Sequence, residues 1–258
     1  MQHSSETLNE AAAVGPTIGI LAGMGPRSTS PFLQAVLDEC ERQYGAREDR
    51  DYPAMMIYSL PTPFVHDRPL DHAAMARSIE EGARRLAGCG VDFMAVPCNT
   101  AHLYYRRLQA AAGVPVLHIA DEAARELAVA GKKTALFSTR PTAEEGLYQR
   151  RLEERGVELY HSAFLQEQVD GLIGAVKHGE SEEELRRRWK EIQPLLNASG
   201  AEAVLSACTD LSPLGERLFW PDGYITIDAG QALARATVRE YLQRRGDASP
   251  TAGGKGLE

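Results

Sequence analysis

Val91-Asp-Phe-Met-Ala-Val-Pro-Cys-Asn-Thr-Ala-His102 packs a strand, a turn and the start of a helix into twelve residues. Val91–Val96 is an apolar run of strand length. Pro97-Cys98-Asn99-Thr100 interrupts it, and Ala101–Ala112 then carries helical spacing. Upstream, Thr17-Ile-Gly-Ile-Leu-Ala22 is a buried-strand run between Gly15-Pro16 and Gly23-Met24-Gly25-Pro26. Ser28, Thr29 or Ser30 can cap a helix starting near Pro31, with Phe32, Leu33, Val36 and Leu37 on its apolar side. Ala54–Ser59 is a second strand, closed by Pro61 and Pro63, and Asp71–Leu86 is a helix stopped by Gly88 and Gly90. Val114–Ile119 reads as a further strand. Strands alternating with helices across short connections predict an α/β fold, with parallel sheets covered on both faces.

The rest of the chain repeats this plan. Lys133–Ser138 is a strand ending in Thr139-Arg140-Pro141-Thr142, with a helix after it through Leu147 and Leu152. Tyr160–Phe164 reads as a strand, Asp170–Lys177 and Ser181–Leu196 as helices, and Glu202–Ser206 as a strand ending in Ala207-Cys-Thr-Asp210. Thr17 to Cys98 spans 81 positions and Thr134 to Cys208 spans 74, which predicts two related halves of about 100 residues. We therefore expect two pseudo-symmetric αβα domains. The first covers residues 15–119 plus 222–245, because the strand Tyr224–Ile227 and the helix Gln231–Arg244 are expected to pack back on the first half. The second covers 120–221. The tail, 246–258, lacks an apolar period and is expected to be disordered.

Composition bounds the function. The 258 residues are 43% hydrophobic and 25% charged, with a formal charge of −8. These are globular values, and the acidic balance argues against a broad nucleic-acid surface. No apolar run approaches the roughly 20 residues of a membrane span, and Met1–Val14 lacks a basic end and an apolar core, so a cytoplasmic location is expected. The four cysteines, Cys40, Cys89, Cys98 and Cys208, match no compact metal spacing and no disulfide framework.

Two of the four are unusual. Ligands of open parallel sheets bind beyond the carboxyl ends of the strands, and Cys98 and Cys208 both stand at such ends, each where a helix is expected to begin. Backbone N–H groups there favour thiolate over thiol. Asn99, Thr100 and Thr209 bring donors to the same place, suited to a small carboxylate. Cys40 and Cys89 lack such neighbours and read as structural, and Asp92 as a solvated residue at a strand start. Gly23-Met24-Gly25 is a tight turn without the full dinucleotide glycine pattern.

Ile18-Gly-Ile-Leu-Ala-Gly-Met-Gly-Pro26, Val96-Pro-Cys-Asn-Thr-Ala-His102 and Ala207-Cys-Thr-Asp210, in this order, resemble the aspartate/glutamate racemase family over roughly Thr17 to Tyr241. The branch they look like is that of aspartate racemases and broad-specificity amino-acid racemases. The resemblance implies two αβα domains enclosing one site, a homodimer, and an amino-acid isomerase that uses neither pyridoxal phosphate nor metal. It further implies Cys98 and Cys208 as the acid/base pair, one taking the α-proton and the other delivering a proton to the opposite face. Asn99, Thr100, Thr139 and the amides after Cys208, Thr209 among them, would hold the α-carboxylate, with Met24 in the site floor. Arg68, in Pro61-Thr-Pro-Phe-Val-His-Asp-Arg68, matches a loop arginine that contacts substrate carboxylate. His102 and Asp210 would stand behind the reacting groups.

The sequence departs from the family pattern at Ala22, Ala207 and Asp210, where Gly, Gly and Glu are usual. The stretch Tyr160–Val176, where acidic-substrate members place a lysine for the distal carboxylate, has no Lys or Arg and only His161 as a base. That weakens aspartate itself as the substrate. A decarboxylase or cis-trans isomerase of a small dicarboxylate, and a binding protein without turnover, are the alternative readings.

Overall fold

The computed structural model describes residues 15–66, 68–130, 132–212, 214 and 223–247. A sheet of β2 (Met55–Ser59), β1 (Ile18–Ala22) and β3 (Phe93–Ala95) forms the first half, in the order β2-β1-β3. In the second half, β4 (Thr134–Ser138), β5 (Leu159–Tyr160), β6 (Ala203–Ala207) and β7 (Ile225–Asp228) pair in the order β5-β4-β6-β7. All pairings are parallel. The second, first and third strands of each half follow the same spatial order, which is the pseudo-symmetry the sequence predicted.

The fourth strand of each half tells the two sheets apart. Val114–Ile119 does not form a full strand. It contributes a single bridge, Met94 to Val116, before α4 (Ile119–Ala130) begins. Its counterpart β7 pairs with β6 in the second sheet, from Ala203↔Ile225 to Ser206↔Asp228, and does not return to the first half as expected. Only α9 (Ala229–Asp247) bridges back, packing on both α1 (Thr29–Tyr44) and α4. The helix runs through Gly246 to Asp247, so the tail expected from residue 246 is helical at its start; 248–258, like Met1–Val14, lie outside the described residues.

Local chemistry sets the helix ends. The Asp71 carboxylate accepts from the Ala74 N–H at the start of α2 (His72–Ala87), and Gly45 closes α1 in the left-handed region. The segment Tyr160–Phe164 is a strand only to Tyr160. Ser162 accepts from the Leu165 N–H and starts α7 (Ala163–His178) instead. α2 lies over the first sheet, and α7 and α8 (Glu182–Ser199) pack together on the second. A continuous apolar core joins the halves, running from Ile20, Val36 and Phe93 through Leu127 to Leu136 and Leu205. Burial on this scale, at about 25 cal/mol per Å² of apolar surface, holds the carboxyl ends of β3 and β6 against a common space.

Candidate active site

β1 leaves its sheet at Gly23, whose φ of +89° and whose missing Cβ are both needed: a Cβ would lie 2.5 Å from the Leu60 nitrogen. Gly25 then passes the second half so closely that a Cβ would sit 2.8 Å from Asp210 Oδ1 and 3.2 Å from Lys177 Nζ. β3 ends in the turn carrying Cys98, which runs into a short 3-10 helix, Thr100–Tyr104. β6 ends in the turn carrying Cys208, closed by the Leu211 N–H on the Cys208 carbonyl. Both thiols line one cavity of about 510 Å³ between the halves, and both residues are buried.

Each thiol is held toward its neutral form. Burial pushes Cys98 up to about 11, against the amides of Ala101 and Thr100 and the charge of Lys177, which favour the thiolate. Cys208 is raised further, by burial and by the Asp210 carboxylate, whose Oδ2 lies 4.0 Å from its sulfur. The helix-start amides expected to favour thiolate are therefore present, but burial outweighs them. Lys177 Nζ lies 2.6 Å from Asp210 Oδ2. Burial opposes its charge, yet Asp210 and the two thiols hold its pKa above the ordinary value.

A sequence model of the family described as Asp/Glu/Hydantoin racemase matches residues 9–237. The chain belongs to this family. The protein named Broad specificity amino-acid racemase RacX, from Bacillus subtilis (strain 168), is 44% identical over 225 residues, which is 87% of this chain and 98% of that protein. Picrophilus torridus aspartate racemase shares the fold with a TM-score of 0.73 at 24% identity, covering 88% of this chain and 95% of that one. Glutamate racemase from Aquifex pyrophilus gives a TM-score of 0.59 at 25% identity, covering 87% and 83%.

In this Asp/Glu/hydantoin racemase family member, Met24, Asn99, Thr100, Thr139 and Thr209 all line the thiol cavity. Their polar groups are not equally available. The hydroxyls of Thr100, Thr139 and Thr142 form a closed triangle with sides of 2.9, 3.2 and 3.0 Å, a seam between the halves that takes up one proton from each. The Thr209 hydroxyl donates to the Pro97 carbonyl at 3.0 Å and ties the two cysteine turns together. Asn99 is different: its Oδ1 accepts from the Tyr148 hydroxyl, and its buried Nδ2 has no protein partner.

Two site readings change, those of Arg68 and Lys177. Arg68 is exposed and lines a neighbouring cavity that meets the first only at Phe64 and Thr139. In the same loop, His66 Nε2 lies 3.0 Å from the Asp170 carbonyl on α7. His102 stands behind the Cys98 turn. Its Nδ1–H donates to the Cys98 carbonyl at 2.8 Å and its Nε2 accepts from the Ile119 N–H at 3.2 Å, so a neutral buried imidazole braces the turn from behind. Burial lowers its pKa.

The second change is Lys177, which sequence reasoning missed as a site residue. Tyr160–Val176 indeed holds no Lys or Arg, but α7 runs to His178, and its last turn brings Lys177 into the cavity. His161 stays outside, paired with Gln166. No local signal marked Lys177: the helix read over Asp170–Lys177 already ended on this lysine, and its place in the cavity shows only in the folded chain. Asp210 has the role of partner to that cation. Among the described residues, no group of three or more His, Cys, Asp or Glu could hold a metal ion.

Proposed function

We propose that the protein is an amino-acid racemase in which Cys98 and Cys208 act from opposite faces of a bound amino acid. The observation that carries this reading is that two thiols from matching turns of two half-molecules line one cavity. In one direction the Cys98 thiolate takes the α-proton and becomes a thiol, and the Cys208 thiol gives its proton to the other face and becomes a thiolate. The reverse direction exchanges the roles. A single base would return the proton to the face it came from, so inversion needs both.

The first ionisation is the difficulty, because burial holds both thiols toward the neutral form. A substrate ammonium adds a positive charge beside the sulfurs, next to that of Lys177, and draws a thiol toward ionisation. The carbanion needs its α-carboxylate held by donors, and the free Nδ2 of Asn99 with the amides after each cysteine supplies them.

The substrate side chain would face the Lys177–Asp210 pair and the apolar wall of Phe64 and Met75. Because Asp210 cancels the lysine charge, that end suits neutral and polar side chains better than a free carboxylate. A homodimeric state and a cytoplasmic location belong to the same proposal. Among the described residues, no helix is long and apolar enough to cross a membrane.

The test is a polarimetric screen of acidic, neutral and basic amino acids in heavy water. Wild type should lose optical activity with deuterium incorporated at the α-carbon. Cys98→Ala and Cys208→Ala should each abolish inversion, and each should exchange the α-proton of at most one enantiomer. Full racemisation by either variant would overturn the two-thiol reading.

A further inference from the structure

Tyr148 belongs to the second half, in the turn between α5 (Arg140–Glu144) and α6 (Gln149–Glu153), and no part of it meets solvent. Its hydroxyl reaches across the interface to Asn99 of the first half and donates to Oδ1 at 2.5 Å. That separation lies at the short end of the O–H···O range and below the N–H···O range, so the amide oxygen faces Tyr148 and the NH2 group faces away. Asn99 is one of the residues lining the thiol cavity and is 3% exposed, and its Nδ2 is buried without a protein partner. Two unused donors in a dry place are costly unless a ligand accepts from them. Burial, then the charge of Asp228, push the Tyr148 phenol well above its ordinary value, so it remains a donor at every working pH.

We propose that Tyr148 is a positioning residue that locks the Asn99 amide with its NH2 toward the substrate α-carboxylate beside Cys98. The proposal rests on the racemase reading above. Without the phenolic donor, the amide can turn over and present an oxygen to the carboxylate, replacing an attraction with a repulsion. Since the two residues come from different halves, the donor is aimed only when the halves are docked.

Tyr148→Phe removes the hydroxyl and keeps the ring. With the full-length protein, the expected loss in kcat/KM for racemisation is about 10- to 100-fold, the scale of one hydrogen bond to a charged group. The loss should vanish, to within about twofold, when Tyr148→Phe is made in an Asn99→Ala background. Equal losses in both backgrounds, or no loss in either, would overturn the proposal.

A second measurement does not depend on turnover. The side-chain NH2 resonances of Asn99, identified by their disappearance in Asn99→Ala, should shift and broaden in Tyr148→Phe. If that variant does not fold, 3-fluorotyrosine at position 148 should shift the same pair. Unmoved Asn99 resonances would overturn the positioning role. Wild type that racemises nothing, while the resonances respond, would defeat the racemase reading and leave the Tyr148–Asn99 coupling standing.

Discussion

Lys177 Nζ stands 2.6 Å from Asp210 Oδ2, inside the cavity that holds both thiols. The two charges come from different elements, the last turn of α7 and the turn after β6, and cancel one another where a substrate side chain would end. Asp210→Asn frees the cation. The ratio of kcat/KM for acidic over neutral amino acids should then rise about tenfold, the worth of one charge-assisted hydrogen bond. The variant should also be less stable, since breaking a largely buried pair costs about 3 kcal/mol, roughly 6 °C or more in thermal midpoint. Parallel rates on aspartate, methionine and alanine decide it: an unchanged ratio would show that side chains do not reach the pair.

The raised thiols predict an alkaline limb for both activity and stability. If the free enzyme must ionise one thiol, kcat/KM should climb about tenfold per pH unit from 7 until the substrate ammonium itself loses its proton, short of the Cys98 value of about 11. Stability moves the opposite way. An unfolded cysteine ionises near pH 8.5 and the folded one later, so the contribution is complete below about 8.5 and is lost between there and about 11. Thermal melts from pH 7 to 11 should fall less steeply for Cys98→Ala than for wild type. Equal slopes would contradict the burial of that thiol in solution.

Much of this site is legible in the sequence because strand ends and turns are. The runs at Ile18, Phe93, Thr134 and Ala203 are short and apolar, their breakers are Gly, Pro and small polar residues, and the turns at Cys98 and Cys208 fall where those patterns stop. What the sequence hides is set by pairing across the halves. Nothing local tells β7 to join β6, since either sheet offers an edge to a strand of four residues, Ile225-Thr-Ile-Asp228. Nothing local says that Arg68 lines a neighbouring cavity and not the one that holds the thiols. Lys177 was hidden because no local pattern shows which residues of α7 line the thiol cavity, and Tyr148 by reaching Asn99 from 49 positions away in the other half.

On the acid side, His118 should govern stability. It is buried, its Nε2 accepts from Arg151 at 2.8 Å, and burial with the nearby His102 lowers its pKa to about 3. A depressed histidine contributes stability that is complete above the unfolded value of about 6.5 and is lost as pH falls toward 3. The expected slope is about 1.4 kcal/mol per pH unit from this group, less in His118→Phe once that variant's own midpoint is subtracted. Urea titrations at pH 7, 5.5 and 4.5 measure it. If the two proteins lose stability in parallel, His118 titrates normally and the Arg151 contact is not maintained.

Two glycines of one turn should fail in different ways. At Gly23 a methyl group meets backbone, the Leu60 nitrogen at 2.5 Å, in a left-handed residue, so neither neighbour can yield. Gly23→Ala should therefore cost about 3 kcal/mol or prevent folding. At Gly25 the same methyl meets only the ends of side chains, Asp210 and Lys177, which can move aside. Gly25→Ala should fold with a loss of about 1 kcal/mol. Its damage should be to turnover, about tenfold, because the ion pair is driven from its place in the cavity. Midpoints and kcat/KM measured on both variants test the contrast. A Gly25→Ala enzyme that keeps wild-type rates would mean that the Lys177–Asp210 pair has room to shift without touching the chemistry.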